Sequence, residues 1–161
     1  MGRGSEKTSA GDSGSGKSGG KDSGCACFNI RRAARAVTRL YDDTVRSTGL
    51  KSSQVMLLMG VREMGPVSVG ILAEEAVLDR TTLTRNLRPL EREGLVRIEQ
   101  GVDRRERVVS LTAKGDSRLK EALPALGKAQ KKVEELVGGD CLARVIEDLG
   151  RLVGVTTRAS G

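Results

Sequence analysis

From Ile30 to Val45, apolar residues fall at Ile30, Ala33, Ala34, Val37, Leu40, Tyr41 and Val45, with spacings of three and four. That period predicts an amphipathic helix, and Gly49 predicts its end. Its opposite face carries Arg31, Arg32, Arg35, Arg39 and Arg46. A second helix is predicted over Ser53–Glu63 through Val55, Met56, Leu58 and Met59, stopping at Gly65-Pro66. Ser68 then caps a short helix holding Ile71, Leu72, Ala73 and Val77. Leu78-Asp79 turns the chain, and Asp79 is placed to cap the helix that follows. In that helix Leu83, Leu87 and Leu90 share one face at i, i+4 and i+7, while Thr81, Thr84, Arg85, Arg88 and Arg92 share the other. Two short helices joined by a tight turn, the second with a Thr/Arg outer face, predict a helix-turn-helix.

Beyond Gly94 the period changes to two. Leu95–Gln100 and Arg107–Thr112 read as strands around the tip Gly101-Val102-Asp103-Arg104-Arg105-Glu106, a hairpin in the position of a wing. Ala113–Arg158 reads as two more helices parted by Val137-Gly138-Gly139-Asp140. The last has a seam of Leu142, Val145, Ile146, Leu149, Leu152 and Val153. Pro89 and Pro124 each fall inside a predicted helix, and each predicts a kink. The predicted fold class is mainly α with a small β-hairpin wing (α+β): a winged helix-turn-helix over about 51–112, flanked by helices at about 27–48 and 113–158.

Residues 1–24 break every pattern. Eight are Gly and six are Ser, and only Met1 and Ala10 are apolar, so the segment buries too little to offset its chain entropy and is expected to be a flexible coil. Gly11–Ser18 reads GDSGSGKS and matches the phosphate-loop pattern G-x-x-x-x-G-K-[ST]. That loop needs a buried strand before it and a helix after it, and MGRGSEKTSA and GGKDSG supply neither.

Composition narrows the function. The 161 residues include no His, which removes Ser-His-Asp and Cys-His nucleophile pairs and His metal ligands. No catalytic constellation, metal site or cofactor motif is predicted. No run is long and apolar enough for a membrane span, and the N-terminus lacks the apolar core of a secretory signal, so a cytoplasmic protein is expected. A net charge of +7 points to an acidic polymer as partner. The helix-turn-helix and wing make that polymer double-stranded DNA. The rivals are a thiol oxidoreductase acting through Cys25 and Cys27, and a protein that coats DNA without regard to sequence.

The linked segments RRAARAVTRLYD, LDRTTLTRNLRPLEREGLV and DRRERVVSLTAKG resemble, in order and separation, the MarR family of winged-helix transcriptional regulators. The family's D-x-R, L-T and G wing pattern falls on Asp103, Arg105, Leu111, Thr112 and Gly115. ALPALGKAQ is similar to the A-x-P-x-W-x-x-A-Q stretch of one branch, with Leu126 in place of Trp. The resemblance implies a homodimer built from the first and last helices and bound to a pseudo-palindromic operator, with half-sites about one turn (~10 bp) apart. It implies a repressor released by a small-molecule inducer or by oxidation.

Roles follow residue by residue. Thr81, Thr82, Thr84 and Arg85 are the candidates for the major groove, where Arg can take guanine bidentately. Ser68 is expected to cap its helix and hold a phosphate, and Arg88 to meet the backbone. Arg105 and Arg104 resemble the wing arginines that enter the minor groove, with Asp103 orienting the wing Arg by an ion pair. Cys27-Phe28, with Tyr41 fourteen residues after Cys27, is similar to the reactive-Cys register of the organic-hydroperoxide-sensing branch. A thiol near a helix N-terminus, with Arg31 and Arg32 one turn on, is set to oxidise readily. Cys141 could resolve the oxidised sulfur, and Cys25 stands beside it in sequence. Where that branch has Tyr on the second helix, this chain has Ser52-Ser53-Gln54-Val55. As ordinary small apolar residues at a dimer interface, the three Cys would have no such role. With one Phe and one Tyr, an aromatic-lined inducer pocket is not expected, and Met56, Met59 and Met64 are the candidate lining of an apolar one.

Overall fold

The computed structural model describes residues 24–159. Residues 1–23, and with them the GDSGSGKS string, therefore lie outside the described residues. The elements run α1 (Ala26–Val45), α2 (Ser52–Met64), β1 (Val67–Ser68), α3 (Val69–Glu75), α4 (Arg80–Arg92), β2 (Val96–Gln100), β3 (Arg107–Leu111), α5 (Ala113–Val137) and α6 (Gly139–Ala159). The expected mainly helical winged helix-turn-helix is the observed fold.

The core sits where α2, α3, α4, the sheet and the first half of α5 meet. Leu58, Leu83, Leu87, Leu90, Leu95, Leu119 and Val109 are fully buried there. The leucines of α4 explain its position. Their i, i+4, i+7 stripe can leave water only by packing inward, which turns Thr81, Thr84, Arg85 and Arg88 to solvent. Pro89 and Pro124 are each carried within an unbroken helical span.

The sheet is antiparallel with order β1-β3-β2. β1 has only two residues, Val67 opposite Val109 and Ser68 opposite Val108. It ties the start of the helix-turn-helix to the wing. The turn between α3 and α4 differs from expectation. Val77 is not in the short helix; that helix stops at Glu75, and Val77 takes φ 51, the one positive φ on a non-glycine among the described residues. Leu78 N donates to Ala73 O at 2.8 Å, which pulls Leu78 inward and forces the reversal onto Val77.

α5 ties the molecule together. Thr112 caps it, accepting from Gly115 N at 2.9 Å, and the same hydroxyl reaches Gly94 O at 2.7 Å. Lys114 Nζ donates to Glu93 O at 2.7 Å, at the end of α4. Arg118 Nη2 donates to Thr48 O at 2.5 Å, in the corner between α1 and α2. Further along, the Tyr41 hydroxyl of α1 donates to Gln130 Oε1. The same corner is held by Asp42, whose Oδ1 accepts from both Ser52 N (2.8 Å) and Ser52 Oγ (2.7 Å). These two bonds hold the Asp42 carboxyl below its ordinary range.

α6 and the first part of α1 have no such cover. α6 has no buried residue, and Val145, Ile146, Leu149, Leu152 and Val153 stay exposed along one face. On α1, Ile30 and Val37 are likewise exposed on one face, and Phe28 is exposed near its start.

Candidate nucleic-acid interface

Asp79 starts α4. Its Oδ1 accepts from Thr82 N at 2.8 Å and its Oδ2 from Thr82 Oγ1 at 2.6 Å. The Thr82 hydroxyl and amide together lower the Asp79 carboxyl below its usual value, so the cap is charged at neutral pH. The Thr82 hydroxyl thereby gives its proton to the cap. Thr84 Oγ1 likewise donates to Arg80 O at 2.7 Å, leaving its lone pairs and methyl outward. Arg80, Thr81, Thr84, Arg85 and Arg88 share one shallow outer surface of the helix.

That surface continues into a cleft of about 410 Å³ between α4, the N-terminal turn of α3 and the wing. Ser68, Thr84, Arg88 and Arg105 line it, so four of the sequence candidates converge. Arg80 and Arg107 line it as well and were not anticipated. Arg80 was legible: it lies four residues before Thr84 and eight before Arg88, on the same stripe. Glu91 and Glu106 are the acidic members of the wall, leaving it with two more positive than negative groups. Ser68 Oγ accepts from Ile71 N at 3.2 Å and so acts as the cap of α3.

At the wing tip, Asp103 Oδ1 accepts from the Arg105 backbone N at 2.9 Å, and Asp103 O accepts from Glu106 N at 2.9 Å. Asp103 thus shapes the turn through the Arg105 amide, and no ion pair to the guanidinium accompanies it among the described residues. Gln100 Nε2 donates to Arg104 O at 2.9 Å, bracing the same tip. Arg104 stands outside the cleft that Arg105 enters.

The remaining candidates lie elsewhere. Cys25 is the N-cap residue of α1, Cys27 is in its first turn, Cys141 is in the first turn of α6, and all three are exposed free thiols. A separate apolar groove of about 380 Å³ runs between α2, α3 and α4. Met56, Leu57, Gly60, Leu72 and Leu78 line it, with Ser53, Glu75 and Asn86 as polar neighbours. Met56 is the one predicted methionine that lines it. Met59 packs partly buried against the core, and Met64 lies at the exposed end of α2. Among the described residues no cluster of three or more metal-ligating side chains occurs, and no helix is long and apolar enough to cross a membrane.

A recognition helix backed by leucines, an arginine-tipped wing and a basic cleft between them define a winged helix-turn-helix protein. Residues 50–106 match the model of the MarR family. The HTH-type transcriptional regulator YwoH of Bacillus subtilis is 30% identical over 92 residues, covering 57% of this chain and 67% of YwoH. The HTH-type transcriptional regulator SarZ of Staphylococcus epidermidis is 28% identical over 90 residues, covering 55% of this chain and 61% of SarZ. Among solved structures, the M. tuberculosis transcriptional regulator MosR in complex with DNA superposes with a TM-score of 0.76. It is 36% identical and covers 84% of this chain and 98% of that one. The chain belongs to the MarR family of winged-helix transcriptional regulators.

Proposed function

We propose that the protein is a homodimeric, sequence-specific DNA-binding repressor. The observation that carries this is the exposed Arg80–Thr84–Arg88 stripe of α4, held outward by buried leucines and continuous with the wing at Arg105. Thr81, Thr84 and Arg85 read base edges in the major groove, and Arg85 takes guanine O6 and N7. Thr82 fixes the helix start. Ser68 and Arg88 meet the backbone, and Arg104 and Arg105 reach the adjacent minor groove from a tip shaped by Asp103. The MosR complex with DNA supports the same use of this fold.

A second copy covers the apolar faces of α1 and α6. The row Val145, Leu149, Leu152 and Val153 is too continuous for a helix meant to face water. A pseudo-palindromic operator follows from two-fold symmetry. For release, the groove at Met56, Leu72 and Leu78 fits a small apolar inducer, because it lies directly behind α4 and a ligand there can tilt the recognition helix. A second reading, oxidation, rests on the exposed thiols of Cys25 and Cys27 at the start of α1, with Cys141 as resolving thiol. Both readings act on the same dimer.

The test is selection from a random duplex pool at about 150 mM salt, in parallel with and without organic peroxide. An enriched inverted repeat is expected. Loss of that repeat under peroxide, restored in Cys27→Ser, assigns release to oxidation; retention leaves it to a ligand. A pool bound with no enriched sequence would replace the specific regulator with a sequence-indifferent DNA-coating protein.

A further inference from the structure

Gly70 and Arg80 meet across the turn of the helix-turn-helix in an unusual way. Gly70 lies in the first turn of α3, and its φ is ordinary, so no backbone conformation demands glycine there. What demands it is space. A Cβ at Gly70 would stand 3.0 Å from Arg80 Nη2, 3.2 Å from Cζ and 3.3 Å from Nε. Three atoms of one guanidinium at nearly equal distance mean that its face is turned to the position a Gly70 side chain would occupy. The Arg80 side chain is thereby laid across α3 and into the cleft lined by Ser68, Thr84 and Arg105, instead of extending freely from the start of α4.

We infer that Gly70 and Arg80 form a preset phosphate clamp: the missing side chain of Gly70 parks the Arg80 guanidinium so that its outward edge receives one phosphate of the duplex backbone. The inference rests on the DNA-binding reading above and adds a contact and a positioning residue to it. Three observations support the assignment. Arg80 makes no ion pair among the described residues, so its charge is not spent inside the fold. The neighbouring carboxylate, Asp79, is committed to the amide and hydroxyl of Thr82. The cleft is walled by Arg88, Arg105 and Arg107 as well, against Glu91 and Glu106 alone, so the field at its mouth favours an anion. A planar guanidinium held by its face presents its N–H edge outward, the geometry that matches two phosphate oxygens. Holding it before DNA arrives removes part of the rotamer entropy that a free arginine loses on binding.

The pair can be tested from both sides. Gly70→Ala leaves the arginine in place and adds only the methyl that displaces it, while favouring α3 by helix propensity. Its Tm should hold or rise. Its affinity for a 30-bp duplex recovered by selection should fall, as should that of Arg80→Ala. One lost phosphate contact lowers the log K–log salt slope by about 0.9 and, at 0.15 M salt, affinity by about fivefold per protomer. The loss should be the same on selected and scrambled duplexes, since a phosphate carries no sequence. Gly70→Ala in an Arg80→Ala background should cost nothing further, because the three atoms nearest the added methyl are gone. If wild type binds the duplex and Gly70→Ala or Arg80→Ala leaves affinity and slope unchanged, the clamp is refuted while the DNA-binding reading stands. Independent, additive losses would refute the coupling of the two residues. A wild type that binds no duplex would overturn both.

Discussion

Gly115 is where the base of the wing meets α5, and replacing it with alanine is a sharp test of how that joint is packed. An alanine Cβ would stand 2.0 Å from Leu95 O, and 2.9 Å from both Leu95 C and Leu111 Cδ1. The nearest atom is backbone, so no rotamer change relieves the clash. Bringing the contact to 3.0 Å, still very tight, requires α5 and the start of β2 to part by about 1 Å. That displacement acts on Leu95 O, which accepts from Thr112 N and from Thr112 Oγ1, both at 3.1 Å. The amide bond weakened at roughly 1 kcal/mol, plus overpacking of about 1–3 kcal/mol, outweighs the gain of about 1 kcal/mol from alanine in a helix; the Thr112 hydroxyl, whose one proton is shared with Gly94 O, adds little. A net loss of about 1–3 kcal/mol follows, or a fall in Tm of roughly 2–12 °C for a chain of this size. Gly127, in the same helix, has nothing within 4 Å of a built Cβ. Gly127→Ala should therefore leave stability unchanged or raise it by up to about 1 kcal/mol. Urea unfolding of both variants at one protein concentration checks the pair, since dimerisation makes stability concentration-dependent. Equal stability of Gly115→Ala and wild type would refute the packing of this joint.

Other expectations concern strain, protonation and the interface. Val77→Asn should raise stability by about 0.5–1 kcal/mol, since a β-branched residue at φ 51 is strained and Asn tolerates that region; destabilisation in thermal unfolding would count against the turn as described. Asp42→Asn should cost about 1 kcal/mol at pH 7 after allowance for solvent screening. Because Ser52 lowers the folded-state Asp42 below the ordinary 3.8, that contribution is complete above about pH 3.8 and disappears as pH falls through the lower, folded value. The Asn variant should lose that part of the acid response in urea titrations, and an unaltered response would remove Asp42 from the corner. Arg85→Ala should relax choice at one base pair per half-site by about 1–3 kcal/mol in competition binding, and an unchanged preference would refute its base contact. Arg105→Ala should lower affinity on all duplexes and reduce the salt slope by about 1 per protomer, and unchanged affinity would take the wing out of the interface.

Much of this was legible in the sequence because helix period and burial coincide. Leu83, Leu87 and Leu90 announced both α4 and the face it buries, and the Asp79 cap marked its start. The parts that were not legible depend on contacts between distant segments. β1 exists only because Val67 meets Val109, a pairing that two residues cannot signal alone. Val77 left the helical pattern because tertiary packing drew Leu78 inward, whatever the local spacing favoured. The charge pattern placed Arg105 at the wing tip, but the way Asp103 shapes that tip, through an amide, depends on a turn geometry that composition does not encode. Arg80 lies on the same stripe as Thr84 and Arg88, but the course of its side chain across α3 depends on the bare Gly70 beside it, a contact between two helices that spacing does not encode.

The most direct test of the central proposal is the native mass of the protein on its selected duplex, with a footprint of the same complex. Two chains per duplex, protecting two inverted half-sites whose centres lie about one helical turn (~10 bp) apart on one side, are predicted. One chain per duplex, or protection that spreads evenly over unrelated sequences, would contradict a dimeric, sequence-specific regulator.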